Sequence, residues 1–313
     1  MTTSEIVFLD RTTLPKYQFN FNFPHHITDY PRSNPEEVAS RIAGANIVVT
    51  NKIPIDAETI RNSPNLRLIA VPATGLDHID LQAAQQYGVE VRNVHGYGND
   101  AVAEHTFMLM LALMRQLPAY QRDVAAGLWE KSPFFCYKGA PIRDLNGKTL
   151  GIFGRGGIGQ AVASRAQAFG MKILWGEHKN ASDCRDGYTP FTQVLQQADI
   201  ISLHCPLNEQ TRNLIGENEL KAMKPQAILI NVGRGGLVDE QALVAALKYG
   251  HLAGAGVDVL SQEPPVNGNP LLSAHLPNLI ITPHIAWGSK DAIQRILVML
   301  EDNINNFMAT QTA

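Results

Sequence analysis

Short apolar runs alternate with stretches of helical periodicity along most of this chain. Residues 5–9, 46–50, 66–70 and 89–91 read as strands, since brief runs rich in Ile, Val, Leu and Ala suit strands buried on both faces. Between the first two, Asn34-Pro35-Glu36-Glu37 opens a helix with a capping residue, a proline in the first turn and acids near the positive end of the helix dipole. Residues 56–61 and 81–87 read as further helices. Strand–helix alternation of this kind predicts a parallel sheet covered by helices.

Residues 101–117 are expected to form one long helix, a connector between two α/β units. The following stretch, residues 129–146, is irregular and carries Pro133, Phe134, Phe135, Tyr137, Gly139 and Pro141. It reads equally as local packing or as an arm reaching a partner subunit. Alternation then resumes, with strands expected at 150–153, 171–175, 199–204, 228–232, 252–257 and 279–282, and helices at 160–169 and 239–249. From Ser289 onward Ile293, Ile296, Leu297, Leu300, Ile304 and Phe307 recur at helical spacing. This last helix is expected to cross back to the first domain. The expected fold is therefore α/β, with two Rossmann-like or flavodoxin-like parallel-sheet domains. The N-terminal one (1–98 and 288–313, substrate-binding) is discontinuous and encloses a dinucleotide-binding one (99–287).

The chain is organised around residues 149–177. Leu150-Gly151-Ile152-Phe153 leads into Gly154-Arg155-Gly156-Gly157-Ile158-Gly159, a G-x-G-x-x-G turn, then an Ala-rich helix capped by Gly170, a second strand and the acid Glu177. Gly154 permits the tight turn, Gly156 lets backbone approach a pyrophosphate, and Gly159 lets the helix close on the strand. The helix N-terminus offers N–H groups and a positive dipole end to phosphate. A carboxylate at Glu177 accepts from a ribose 2′-hydroxyl and repels a 2′-phosphate, which favours NAD (NADH) over NADP; the basic His178 and Lys179 beside it offset part of that repulsion.

At 313 residues, 45% apolar and 18% charged, the chain has the length for two domains and the composition of a soluble protein. A net charge of -3 gives no reason to expect nucleic acid or an anionic membrane as partner. Cys136, Cys184 and Cys205 lack the spacing of a zinc or disulfide framework, and no signal peptide or spanning segment is visible, so a cytoplasmic protein is expected.

Ligands of open α/β sheets bind beyond the carboxyl ends of the strands, and four such ends carry reactive groups. Asn231-Val232-Gly233-Arg234-Gly235 holds an arginine in a glycine turn, suited to gripping a carboxylate through paired N–H bonds. Gly256-Val257-Asp258-Val259 is followed by Glu263-Pro264, and Thr282-Pro283-His284-Ile285-Ala286 ends the last strand. Reduction of a keto group needs a proton donor, an anion clamp and a partner that tunes the donor.

These motifs, in this order and over nearly the whole chain, resemble the D-isomer-specific 2-hydroxyacid dehydrogenase family. His204-Cys205-Pro206-Leu207 with Thr211 resembles its nicotinamide-side loop. The resemblance implies that Arg234 binds the substrate carboxylate, that His284 exchanges a proton with the keto oxygen, and that Glu263 hydrogen-bonds the imidazole and favours its charged form. It also implies that Val232 and Gly233 lie along the cofactor, that Asp258 holds the nicotinamide carboxamide, that N–H groups around Thr74, Gly75 and Leu76 complete the carboxylate cradle, and that no metal is needed. Two positions depart from the family pattern: Gly157, where arginine is frequent, and Asp100-Ala101, where a small hydroxyl residue is common.

Within the family, residues 132–152, Ala73-Thr74-Gly75 and residues 93–98 resemble glycerate dehydrogenases (hydroxypyruvate reductases). No extension follows residue 313, unlike the long, serine-regulated phosphoglycerate dehydrogenases, and Glu263 replaces the glutamine of formate dehydrogenases. The expected activity is reduction of hydroxypyruvate or glyoxylate by NADH. A D-lactate or other 2-ketoacid reductase is the alternative, and a dinucleotide-sensing corepressor-like protein a third. The connecting helix and aromatic arm point to a homodimer.

Overall fold

The computed structural model describes residues 3–311; the outer ends of the expected first domain, residues 1–2 and 312–313, lie outside the described residues. The chain divides into two compact units. One comprises residues up to Gly98 together with those from Gly288, and the other runs from Asn99 to Trp287.

In the first unit, strands β1 (Ser4–Phe8), β2 (His25–Asp29), β3 (Ile47–Val49), β4 (Leu68–Val71) and β5 (Glu90–Asn93) form a parallel sheet in the order β2-β1-β3-β4-β5. Helices α1 (Pro35–Ile42), α2 (Ala57–Arg61) and α3 (Leu81–Gln86) connect the strands. Asn34 and Glu37 form the capping box of α1, while Asp56 and Asp80 cap α2 and α3 through their side chains. Strand β2 was not legible as an apolar run: His25–Asp29 lies at the sheet edge and none of its residues is buried. The C-terminal helix does belong to this unit, where Ile296, Leu297, Leu300, Ile304 and Phe307 are buried and the helix packs on β4 and β5.

The second unit opens with α4 (Asn99–Met114) and α5 (Leu117–Ala125). The single helix expected over 101–117 is thus two. Pro118 has no N–H to give and its ring would collide with the carbonyl of Met114, so the chain breaks at Gln116, with φ +56°, and restarts. Strands β6 (Thr149–Phe153), β7 (Lys172–Trp175), β8 (Ile200–Leu203), β9 (Ile228–Asn231), β10 (Gly254–Val257) and β11 (Leu279–Ile281) form a parallel sheet in the order β11-β10-β9-β8-β6-β7. The intervening helices are α6 (Gly157–Ala168), α7 (Phe191–Gln197), α8 (Glu217–Ala222), α9 (Glu240–Lys248) and α10 (Pro270–Ser273), with α11 (Lys290–Gln311) the C-terminal helix of the first unit.

Both faces of this sheet are covered, because alternate residues of each strand point to opposite sides. Ile228 and Ile230 pack into one core with α4 and α6, and Leu229 into the other with α7, α8 and α9. The order reverses between β6 and β8, which creates the crevice at which such sheets receive ligands.

Candidate active site

Strand β6 ends at Phe153 and the chain turns at Gly154, whose φ of +105° is open to glycine. A Cβ there would stand 2.5 Å from the backbone of His204, on the loop after β8. His204 N–H ties the two loops by donating to the Phe153 carbonyl at 2.7 Å. A Cβ on Gly159 would strike the Gly154 carbonyl, so α6 lies directly against the turn. At Gly156 the same atom would meet nothing within 4 Å. That open face adjoins the first N–H groups of α6, which have no intrahelical partners, and together they make an anion cradle. At Gly157 the Asn99 amide stands 2.5 Å from the Cβ position, taking the space an arginine stem would use. Ile158 packs half-buried on the core beneath.

A cleft of about 510 Å³ runs past this turn, walled among others by Arg155, Glu177, His178, Arg185, Tyr188 and Thr211. The cradle and cleft suit a dinucleotide. The Arg155 guanidinium lies 5.1 Å from the Trp175 ring centre and 5.4 Å from that of Tyr188. Thr211 closes its own loop: its hydroxyl donates to the Pro206 carbonyl at 2.7 Å and accepts from Asn208 N–H at 2.8 Å. The His204 ring is buried and burial holds its pKa down to about 4, so it is neutral, with Nε2 2.8 Å from Ser202 Oγ and no partner at Nδ1. Burial pushes the Cys205 thiol up to about 11, which makes it a poor nucleophile.

Glu177, just past the end of β7, is held by an arginine of the following loop. Its side chain is only 3% exposed, and the Arg185 guanidinium grips both carboxylate oxygens, Nη2 to Oε1 at 2.7 Å and Nε to Oε2 at 2.8 Å. The N–H groups of His178 and Arg185 donate to the same oxygens at 2.8 and 3.0 Å. Hydrogen bonds from Arg185 above all hold the carboxyl at a pKa of about 2. The carboxylate is satisfied by donors within the protein. Arg185 carries no local motif, and only the folding-back of residues 178–189 brings it to Glu177.

Arg234, Asp258 and His284 follow β9, β10 and β11, which are adjacent in the sheet, so all three stand at one edge. Asn231 shapes the arginine turn: its amide donates to the Arg234 carbonyl at 3.0 Å and its Oδ1 accepts from Gly233 N–H at 3.2 Å, just beyond the buried Val232. Arg234 Nη1 donates to the Gly233 carbonyl at 2.9 Å. Glu263 Oε1 accepts from Leu260 N–H at 2.8 Å, and its Oε2 lies 2.6 Å from His284 Nδ1. With Nδ1–H given to the carboxylate, Nε2 is the ring nitrogen left to exchange a proton.

Asp258 is 1% exposed and acts as a peg for the histidine loop. Its carboxylate accepts from Thr282 Oγ1 at 2.5 Å and from the N–H groups of Ile285 and Ala286 at 3.0 Å each. Its carbonyl accepts from His284 N–H at 2.8 Å. The carboxylate expected to hold a carboxamide also anchors this loop, with two of these bonds on Oδ1 and one on Oδ2. His105, on α4, joins this network with Nε2 2.9 Å from Thr282 Oγ1. Thr74, Gly75 and Leu76 follow β4 in the first unit, where Thr74 Oγ1 donates to the Val94 carbonyl at 3.2 Å.

A doubly wound sheet with a glycine-turn cradle and a histidine–carboxylate pair at its strand ends defines a nicotinamide-dinucleotide oxidoreductase. Residues 107–286 match the family model described as D-isomer specific 2-hydroxyacid dehydrogenase, NAD binding domain. A glycerate dehydrogenase of Methylorubrum extorquens is 48% identical over 310 residues, which cover 98% of this chain and 97% of that one. Among solved structures, a D-lactate dehydrogenase of Aquifex aeolicus with NAD and lactic acid superposes with a TM-score of 0.79 at 28% identity, covering 97% of this chain and 96% of that one. An NADPH-dependent glyoxylate/hydroxypyruvate reductase of Sinorhizobium meliloti with NADP and malonate gives 0.81 at 26% identity, covering 99% and 95%. The chain belongs to the D-isomer-specific 2-hydroxyacid dehydrogenase family and is an oxidoreductase that uses a nicotinamide dinucleotide.

Proposed function

We propose that the chain reduces hydroxypyruvate, or glyoxylate, to the corresponding 2-hydroxy acid. The observation that carries the reading is the 2.6 Å pair of His284 Nδ1 with Glu263 Oε2 at the strand edge that also holds Arg234. The dinucleotide, when bound against Gly154, Gly156, Gly159 and the α6 N-terminus, supplies the hydride. Arg234 binds the substrate carboxylate and polarises the C2 carbonyl through its planar fork. His284 gives the Nε2 proton to the keto oxygen during reduction and takes it back during oxidation. Glu263 orients the ring and stabilises it when charged. The hydride donor in this reading is NADH, with NADPH the less favoured one. The 48% identity to a glycerate dehydrogenase supports the substrate class.

Initial rates with NADH and NADPH on hydroxypyruvate, glyoxylate, pyruvate and 2-ketobutyrate test this. Fast turnover of hydroxypyruvate is expected. A preference for pyruvate moves the chain to the lactate branch, and dinucleotide binding without turnover makes it a sensor.

The same reading includes a cytoplasmic homodimer. Trp129, Phe134 and Phe135 are 53%, 73% and 93% exposed, apolar surface that a second subunit would cover. Light scattering should give twice the chain mass, and a monomer removes the dimer. No helix among the described residues is long and apolar enough to cross a membrane.

A further inference from the structure

Glu177 and Arg185 divide the ribose end of the cleft unequally. The carboxylate is buried at 3% exposure with four donors on its two oxygens, whereas the arginine side chain is 54% exposed and lines the cleft. Taking a 2′-hydroxyl at Glu177 would mean displacing a two-pronged ion pair, and such paired charge-assisted bonds are among the strongest available to a side chain. The Arg185 guanidinium is held in place from two sides. Glu177 grips its Nε and Nη2, and the Tyr188 ring lies 4.0 Å beneath its carbon.

The other charges on this wall are also mostly positive. Arg155 is stacked against Trp175 and Tyr188. Lys179 is balanced by Glu219 at 2.9 Å, and Asp183 and Asp186 lie on the exposed loop between Lys179 and Tyr188. With Glu177 neutralised, the cleft presents guanidinium groups where the sequence alone reads a carboxylate.

We propose that Arg185 is the residue that sets cofactor choice in this chain, closing Glu177 to the ribose 2′-hydroxyl and offering its own exposed edge to a 2′-phosphate, so that the enzyme accepts NADPH as well as NADH. The inference rests on the dinucleotide-dependent reading above and deepens it. It needs no residue at the strand edge that carries Arg234 and His284.

The test is binding rather than turnover, without keto acid. Dissociation constants are measured by fluorescence for NADH and NADPH, and by calorimetry for adenosine 5′-diphosphate and adenosine 2′,5′-bisphosphate, which lack the nicotinamide. In the unaltered chain NADPH should bind within roughly tenfold of NADH, and the 2′,5′-bisphosphate at least as tightly as the 5′-diphosphate, since one arginine–phosphate contact is worth about a factor of ten. Arg185→Gln should weaken NADPH and the 2′,5′-bisphosphate about tenfold or more without weakening NADH, since it opens Glu177 to the 2′-hydroxyl; Arg185→Lys, which keeps the charge but loses the fork, should bind NADPH between the two. A wild-type preference for NADH of about a hundredfold overturns the proposal, because Glu177 would then be selecting. Equal weakening of NADH and NADPH in Arg185→Gln also overturns it, reducing the fork to a scaffold. Binding of neither dinucleotide overturns both this inference and the reading beneath it.

Discussion

Thr282 Oγ1 donates to Asp258 Oδ1 across 2.5 Å, joining the end of β11 to the end of β10 immediately before His284. The same carboxylate takes the N–H groups of Ile285 and Ala286, so the histidine loop is pinned on both sides of its functional residue. His284 itself has φ +53°, a left-handed conformation uncommon for a side-chain-bearing residue and sustained here by these contacts. The loop is held in one geometry by a group that need not touch substrate.

Thr282→Val removes that hydroxyl bond, and with it the contact of His105 Nε2 at 2.9 Å. Losing one such bond costs about 1 kcal/mol, and misplacing the imidazole adds to it, so kcat should fall roughly tenfold or more. Dinucleotide affinity should stay within about threefold. Steady-state kinetics and binding measured side by side check this; a loss confined to cofactor affinity would place Thr282 at the cofactor instead.

Replacing His284 and Arg234 should give distinct signatures. His284→Asn removes the proton donor, and kcat should drop by about 10²–10⁴ with little change in KM. Arg234→Ala removes the carboxylate clamp, so kcat/KM for keto acids should collapse while NADH still binds. Single-turnover rates and NADH fluorescence distinguish the two. Equal loss of NADH affinity in Arg234→Ala would make that arginine a cofactor or structural residue.

The glycines of the turn should separate folding from binding. Gly156→Ala meets nothing within 4 Å, so Tm should hold while dinucleotide affinity falls, because the methyl enters the cradle. Gly159→Ala drives a methyl into the Gly154 carbonyl and should cost about 1–3 kcal/mol of stability before any ligand is added. Thermal melts with and without NADH read both effects.

Acid should weaken the fold in a defined window. Burial holds the imidazoles of His78 and His204 down to about 4, while an unfolded histidine takes its proton near 6.5. Between those values the unfolded chain binds more protons, so stability is full above about pH 6.5 and is lost as the pH falls toward 4. Urea midpoints should decrease from pH 7.5 to pH 5, and His78→Gln should flatten that slope. A midpoint constant over this range would show that neither ring resists protonation in the folded chain.

Much of the architecture was legible because its signals are local. The apolar runs that became β3, β4 and β9 sit on parallel strands buried on both faces, and such strands need apolar side chains at every position. Asn34, Asp56 and Asp239 marked helix starts because an N-cap is a property of a few consecutive residues. The edge strand β2 escaped notice, since an exposed edge does not demand an apolar run. The break before α5 was written in Pro118, although the apolar periodicity of 101–117 carried straight through it.

By itself the sequence determined the order of strands and helices, the glycine turn and the strand ends at which Arg234, Glu263 and His284 stand, because each depends on residues near one another in the chain. Only the tertiary structure decided which donors reach the carboxylates. Asp258 spends its oxygens on the loop that holds His284, and Glu177 spends its oxygens on Arg185, eight residues further along a folded-back loop. A carboxylate's role is set by which donors reach it and by whether water still does, and both are properties of three-dimensional packing.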